Sequence, residues 1–229
     1  MKICAISDIH GDLPDKDSFE KCELILISGD FSPLHIQTKK LLMREWLIQV
    51  FTPWCESLPC NKVYFIAGNH DFIAKKDPDF MTMHFSEDEK ATYLYQETSI
   101  YKSEEGKEYK IFGTPWCQVF GNWPFMADKD TLTNLYSNIP YDIDILLTHD
   151  QPYGYGDILL QKTKWSTDNH IGNEPLAEAV ILKQPKYLFC GHLHSTSHDC
   201  VSILNTKRYN VSLKDEYYDI VYKPLYLDI

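Results

Sequence analysis

The sequence predicts an α/β fold, a mixed β-sandwich flanked by helices. Three observations predict it. Short apolar runs each stop at polar residues, helical stripes lie between some of these runs, and the C-terminal stretch alternates apolar with polar residues. The runs cover residues 3–6, 24–27, 63–67, 143–147 and 187–190, and are rich in Ile, Val, Leu and aromatics. That length and composition suit strands buried on both faces. Between the second and third runs, residues 36–51 carry Leu42, Trp46, Leu47 and Val50 on one stripe, opposite Lys39, Lys40, Arg44 and Glu45, and predict a helix. A second helix is expected over 174–184, with Pro175 in its first turn and Leu176, Ala179, Val180 and Leu182 facing inward. Over 199–227, Val201 and Ile203, then Tyr209, Val211 and Leu213, then Ile220 and Tyr222 predict antiparallel strands joined by turns.

The chain has 229 residues, 44% of them hydrophobic and 24% charged, which predicts a folded core rather than disorder. Neither a repeat nor a Pro/Gly/Ser-rich linker divides it, so one domain over 1–229 is expected. The first residues run straight into Asp8 without a leader, and no apolar run reaches the roughly 18–20 residues of a membrane span. Seven scattered cysteines without C-x-x-C spacing read as small hydrophobes of a reduced, cytoplasmic protein. With 22 basic against 33 acidic residues the net charge is −11. No basic track is visible, and duplex nucleic acid is not an expected partner.

The residues just past each strand carry the chemistry. The first run leads to Asp8-Ile9-His10, the second to Gly29-Asp30 and the third to Gly68-Asn69-His70-Asp71; the fourth leads to His149-Asp150, and the fifth to Gly191-His192-Leu193-His194. Ligands of open α/β sheets bind beyond the carboxyl ends of strands, so five strand ends deliver Asp, Asn and His to one rim. The glycines fit a chain leaving a strand sharply, where positive φ is often needed. Singly, Asp-x-His and Gly-Asp are common by chance, whereas Gly-Asn-His-Asp arises in fewer than about one chain in a thousand. Two imidazoles at i and i+2 on an extended segment are costly unless paired or metallated.

In this order the motifs resemble the calcineurin-like metallophosphoesterase superfamily, over positions 8 to 194. Residues 112–116, 121–123 and 142–149 further resemble the small metallophosphodiesterases of the brain-expressed branch, which hydrolyse cyclic nucleotides and model phosphodiesters. The resemblance implies a four-layer sandwich and two divalent metals. One would be held by Asp8, His10, Asp30 and His194, the other by Asp30, Asn69, His149 and His192, with Asp30 bridging. Mixed oxygen and nitrogen ligation suits manganese, with iron, zinc, cobalt or magnesium as alternatives, better than calcium. The pair would activate a water for in-line attack on phosphorus. By the same analogy His70 donates to a phosphoryl oxygen or protonates the leaving alkoxide, and Asp71 accepts its other N–H.

Departures narrow the substrate. Gly29-Asp30 is followed by Phe31-Ser32-Pro33, without the Arg and second Asp of the protein phosphatase branch, which speaks against that activity. Asp150 follows His149 where relatives commonly carry a small residue, and its charge would disfavour highly charged monoesters. The expected partner is therefore a small phosphodiester. A phosphomonoesterase using the same site, or an interaction protein that kept the fold, are the alternatives. Residues 72–110 carry only acidic clusters (Glu87-Asp88-Glu89, Glu104-Glu105) that read as solvated faces. Tyr153, Tyr155, Trp165, Trp116, Asn122 and Trp123 are candidates for a pocket wall, and His170 and His198 read as structural or exposed.

Overall fold

The computed structural model describes residues 1–160 and 170–229; Trp165 lies outside them. In chain order the first strands are β1 (Lys2–Ile6), β2 (Leu24–Ser28), β3 (Lys62–Ile66), β4 (Ala91–Tyr93), β5 (Glu97–Lys102) and β6 (Glu108–Thr114). They are followed by β7 (Cys117–Gln118), β8 (Met126–Ala127), β9 (Ile145–Thr148), β10 (Tyr187–Cys190), β11 (Val201–Ile203), β12 (Thr206–Asn210) and β13 (Leu225–Asp228). One sheet has the order β13-β1-β2-β3-β4, and a second has β11-β12-β10-β9-β6-β5. Within each sheet the central strands run parallel; antiparallel β13, β11 and β5 lie at three of the four edges, and β4, parallel to β3, is the fourth.

Period-two alternation along the strands produces the layers. Ile3, Ala5, Leu24, Leu26, Tyr64 and Ile66 of the first sheet pack onto Ile111, Ile145, Leu147 and Phe189 of the second. The intervening residues of the first sheet, Cys4, Ile6, Ile25, Ile27, Val63 and Phe65, face Met43, Leu47, Phe51 and Trp54 on the helical segment formed by α1 (Lys40–Trp46), a π-type turn (Leu47–Phe51) and α2 (Thr52–Ser57). Two short helices follow β3, α3 (Phe72–Lys76) and α4 (Pro78–His84). On the far side of the second sheet, Phe112, Leu146 and Leu188 meet Leu132 and Tyr136 of α5 (Lys129–Ser137) and Leu176 and Val180 of α6 (Glu174–Lys183). The result is helix, sheet, sheet, helix: the four-layer mixed sandwich expected.

Three local expectations need correction. The first helix runs beyond residue 51 to Ser57, and its buried stripe is Met43, Leu47, Phe51, Trp54 and Cys55, while Leu42 and Val50 are 44% and 42% exposed. The π-type turn ends at Phe51, two residues before Pro53, which has no N–H for the helical ladder; widening the turn carries the helix past it. In α6, Asn173 caps the first turn by accepting from the Leu176 N–H at 3.1 Å, but Leu182 is 61% exposed. At the C-terminus only β11 and β12 form the expected hairpin: β12 also lies parallel to β10, and the chain then crosses to the other sheet, where β13 pairs with β1. Residues 72–110, unassigned from sequence, supply α3, α4, β4, β5 and part of β6. No helix among the described residues is long and apolar enough to cross a membrane.

Candidate metal centre

The carboxyl ends of β1, β2 and β3 in one sheet and of β9 and β10 in the other converge, and each is followed by its motif. Asp8 and His149 have no exposed surface, Asp30 and Asn69 are 2% exposed and His10 is 5% exposed. The turns that aim these groups are strained. Asp8, His10, Asp30 and His192 take φ of 55°, 45°, 53° and 66°, a region non-glycine residues seldom occupy. Backbone hydrogen bonds hold the first two there: Asp8 N–H to the Gly29 carbonyl at 3.0 Å and His10 N–H to the Asp30 carbonyl at 2.9 Å.

Of the motif glycines, Gly29 has the expected positive φ, 97°. Gly68 and Gly191 do not; they are needed for close approach. A Cβ on Gly68 would stand 2.6 Å from His149 Nε2 and against Asp30 Oδ1, and one on Gly191 would strike Asp8 Oδ2 and Ser7 Oγ. Gly191→Ala is therefore expected to cost about 1–3 kcal/mol of stability by overpacking. It should also lower manganese retention, read by denaturant unfolding and metal analysis; wild-type values in both would refute the cradle.

Ligand atoms of Asp8, His10 and His194 lie within 4.8 Å of one another, as do those of Asp8, Asp30 and His149. His149 Nε2 is 3.3 Å from Asp30 Oδ2 and 3.0 Å from Asn69 Oδ1, His10 Nε2 is 3.7 Å from Asp30 Oδ2, and His194 Nε2 is 3.2 Å from Asp8 Oδ1. The other nitrogens are held from behind: His149 Nδ1–H donates to the Ser28 carbonyl at 2.8 Å, and His194 Nδ1–H to the Asp215 carbonyl at 2.9 Å. That fixes the tautomer in which Nε2 faces the cluster, the usual support of a metal-binding imidazole. The main-chain N–H of His192 donates to both Asp8 oxygens, at 3.2 and 3.1 Å.

Two observations test whether this set fits a metal. Both ring nitrogens of His10 are buried without a hydrogen-bond partner among the described residues, a costly arrangement for a polar group that lacks a ligand. Burial holds His10 and His192 down to about 4, so both are neutral at pH 7 with a lone pair to give. Burial works against charge at His149, yet Asp30 raises it to about 10; burial likewise opposes charge at His194, and Asp8 raises it. Where His149 and His194 carry protons, a dication would displace them. Burial opposes ionisation of Asp8 and Asp30 too, but His194 beside one and His149 beside the other hold them below the usual carboxylate range. The donor set fits divalent metal.

His70 N–H donates to Asp30 Oδ1 at 2.8 Å. Its ring meets Gln37, not Asp71: Nδ1 lies 2.8 Å from Gln37 Oε1. Asp71 is fully buried, and its oxygens accept the main-chain N–H groups of Asp30 at 2.8 Å, Ser32 at 2.9 Å and Gly68 at 2.7 Å. Burial and the Asp30 charge push it up to about 7. Asp71 thus ties the β2 turn to the β3 turn and does not fix the His70 tautomer. Asp150 also turns away from the cavity: it accepts from Gln118 N–H and Asn173 Nδ2, both at 2.9 Å. His170 pairs with Asp157 at 2.6 Å, and His198 stacks on Tyr222 with ring centroids 3.6 Å apart.

Sequence reasoning missed Cys117, whose sulfur groups within 4.8 Å of ligand atoms of His149 and His192. Burial, reinforced by Asp150, Asp30 and Asp8, pushes this thiol well up and keeps it protonated. It also missed Gln37, Glu216 and Tyr218. Over the cluster opens a cavity of ≈ 680 Å³ lined by Asp30, Asn69, His70, His192 and His194 on its floor, with Phe120, Trp123 and Tyr218 among its walls. Of the aromatic candidates, Trp123 lines it, while Trp116 packs against Phe125 at the edge of the core.

Paired sheets with buried carboxylates and imidazoles at their meeting strand ends define a metallophosphoesterase. The chain belongs to the calcineurin-like phosphoesterase family, whose model matches residues 1–196, a family of metal-dependent phosphoester hydrolases. Among its relatives is human metallophosphoesterase domain-containing protein 1, 24% identical over 250 residues that cover all of this chain and 71% of the human protein. A Caenorhabditis elegans UPF0046 protein is 24% identical over 254 residues; this chain spans 60% of its length. The crystal structure of TT1561 from Thermus thermophilus has the same fold, with a TM-score of 0.56 at 14% identity over 91% of this chain and 88% of that one.

Proposed function

We propose that the protein is a two-metal phosphodiesterase that hydrolyses small phosphodiesters, cyclic nucleotides among them. The observation that carries the diester reading is the cavity wall. Among the described residues its lining holds neither Lys nor Arg, and Glu216 adds a carboxylate. Against the described residues of this wall a dianionic monoester would meet no side-chain cation beyond the metals, whereas a monoanionic diester asks for less compensation.

In this reading Asp8, His10, Asp30 and His194 would hold one ion and Asp30, Asn69, His149 and His192 the other, and the mixed oxygen and nitrogen donors suit manganese, iron, zinc or cobalt. When bound, the ions supply Lewis acidity and a water acidic enough to attack phosphorus. His70 hands the proton to the leaving alkoxide. Its Nδ1 side is oriented by Gln37 Oε1 and its main chain is anchored on Asp30, so the ring keeps a fixed place on the cavity floor. A reducing, cytoplasmic setting accords with Cys4, Cys55, Cys117 and Cys190, which are buried as free thiols.

On manganese-loaded protein, bis-p-nitrophenyl phosphate is expected to give a kcat/KM at least about tenfold above that of p-nitrophenyl phosphate, a difference of about 1.4 kcal/mol in barrier. Preference for the monoester would overturn the proposal.

A further inference from the structure

Residues 211–222, between β12 and β13, lie beyond the stretch matched by the family model. They nonetheless reach the metal centre twice. The Asp215 carbonyl accepts from His194 Nδ1, and Tyr218 places its ring beside three imidazoles, with centroids 4.9 Å from His10, 5.5 Å from His194 and 6.3 Å from His70, all steeply inclined.

The loop is built to keep the ring there. Tyr218 has φ of 66°, an outlier for a bulky residue. Asp215 Oδ1 accepts from the N–H groups of Tyr217 at 2.9 Å and Asp219 at 3.1 Å, and Tyr218 N–H donates to the Asp215 carbonyl at 3.0 Å. Lys214, only 2% exposed, donates to the Tyr218 carbonyl at 2.7 Å and pairs with Asp12 on the β1 turn. Strain held by converging bonds at a site points to use.

A second aromatic ring adjoins the same histidine: Trp123 lies 4.6 Å from His70, and both Trp123 and Tyr218 line the cavity. At that wall the hydroxyl of Ser195 and both carboxylate oxygens of Glu216 are buried without a hydrogen-bond partner among the described residues. Flat apolar surface beside the proposed proton donor, with unanswered acceptors near it, is the description of a subsite for a ring.

Resting on the phosphoesterase reading of this cavity, we infer that Tyr218 is a specificity-determining residue: with Trp123 it walls a subsite beside His70 that takes a flat aromatic group of the ester in preference to an alkyl group. Stacking on an aromatic side chain favours any flat ring and leaves the phosphoryl group to the metals.

The test is calorimetric binding of phenyl phosphate and methyl phosphate to manganese-loaded wild type, Tyr218→Ala, Tyr218→Leu and Tyr218→Phe, with the metal content of each measured. Wild type is expected to bind phenyl phosphate about tenfold tighter than methyl phosphate, by the stacking contribution of one ring. The alanine and leucine variants should lose that ratio while keeping their metals and their affinity for methyl phosphate. The phenylalanine variant should keep it. A wild-type ratio near one, a ratio unchanged in Tyr218→Ala, or one lost in Tyr218→Phe overturns the inference. So does weakening of both ligands together with metal loss, the mark of a purely structural loop, or failure of both to bind. A preference for monoester hydrolysis would end the diester reading and leave this binding ratio standing.

Discussion

Asp30→Ala is expected to lower bound manganese from two ions per chain to fewer than one and to cut phosphodiester hydrolysis by about 10³-fold or more. Asp30 faces an imidazole of each proposed ligand set: Oδ2 lies 3.3 Å from His149 Nε2 and 3.7 Å from His10 Nε2, while Oδ1 accepts the His70 N–H at 2.8 Å. In the proposed two-metal reading, removing this carboxylate, which is 2% exposed, would take one ligand from each ion and free the loop that carries Asn69 and His70. A loss of about 4 kcal/mol in transition-state stabilisation corresponds to the stated rate loss. Metal analysis together with kcat/KM on bis-p-nitrophenyl phosphate checks it. Two ions retained in the variant would overturn the proposed bridging role of Asp30.

The frame of this site is legible in the sequence for a physical reason. β1, β2, β3, β9 and β10 are central strands whose alternate faces are both buried, so their sequences are continuous apolar runs, and the polar motif begins at the turns where the strands end. Edge strands lack that signal. β5 exposes Glu97, Thr98, Ile100 and Lys102, and nothing in its composition separates it from a loop. The helical stripe misleads because Leu42 and Val50 are as apolar as the buried Met43 and Phe51; only the packing partner distinguishes them. Pairings across long separations are out of reach as well. That Gln37, 33 residues away, meets the His70 ring while Asp71 gathers three main-chain N–H groups depends on how the β2 and β3 turns lie together. The left-handed turns at Asp8, His10, Asp30 and His192 are hidden for a related reason: local preference assigns that region to glycine, and tertiary hydrogen bonds impose it here on ligands.

His70→Ala separates chemistry from metal binding. The main-chain N–H that reaches Asp30 survives this substitution, and the imidazole is the part that adjoins Trp123 and lines the cavity. The variant is therefore expected to keep two manganese ions and its fold while kcat falls about 10²–10⁴-fold, the range for loss of a positioned acid or base. Gln37→Leu keeps the imidazole and removes the acceptor that orients it, so a smaller loss, about tenfold, is expected with unchanged metal content. The leaving group supplies the decisive comparison. p-Nitrophenolate departs without a proton, whereas an alkoxide needs one, so the defect of His70→Ala should be much larger on an alkyl diester than on bis-p-nitrophenyl phosphate. Equal defects on the two substrates would mean that His70 stabilises the phosphoryl oxygens and leaves proton transfer to water. Full activity with metal intact would reduce it to a brace for the β3 turn.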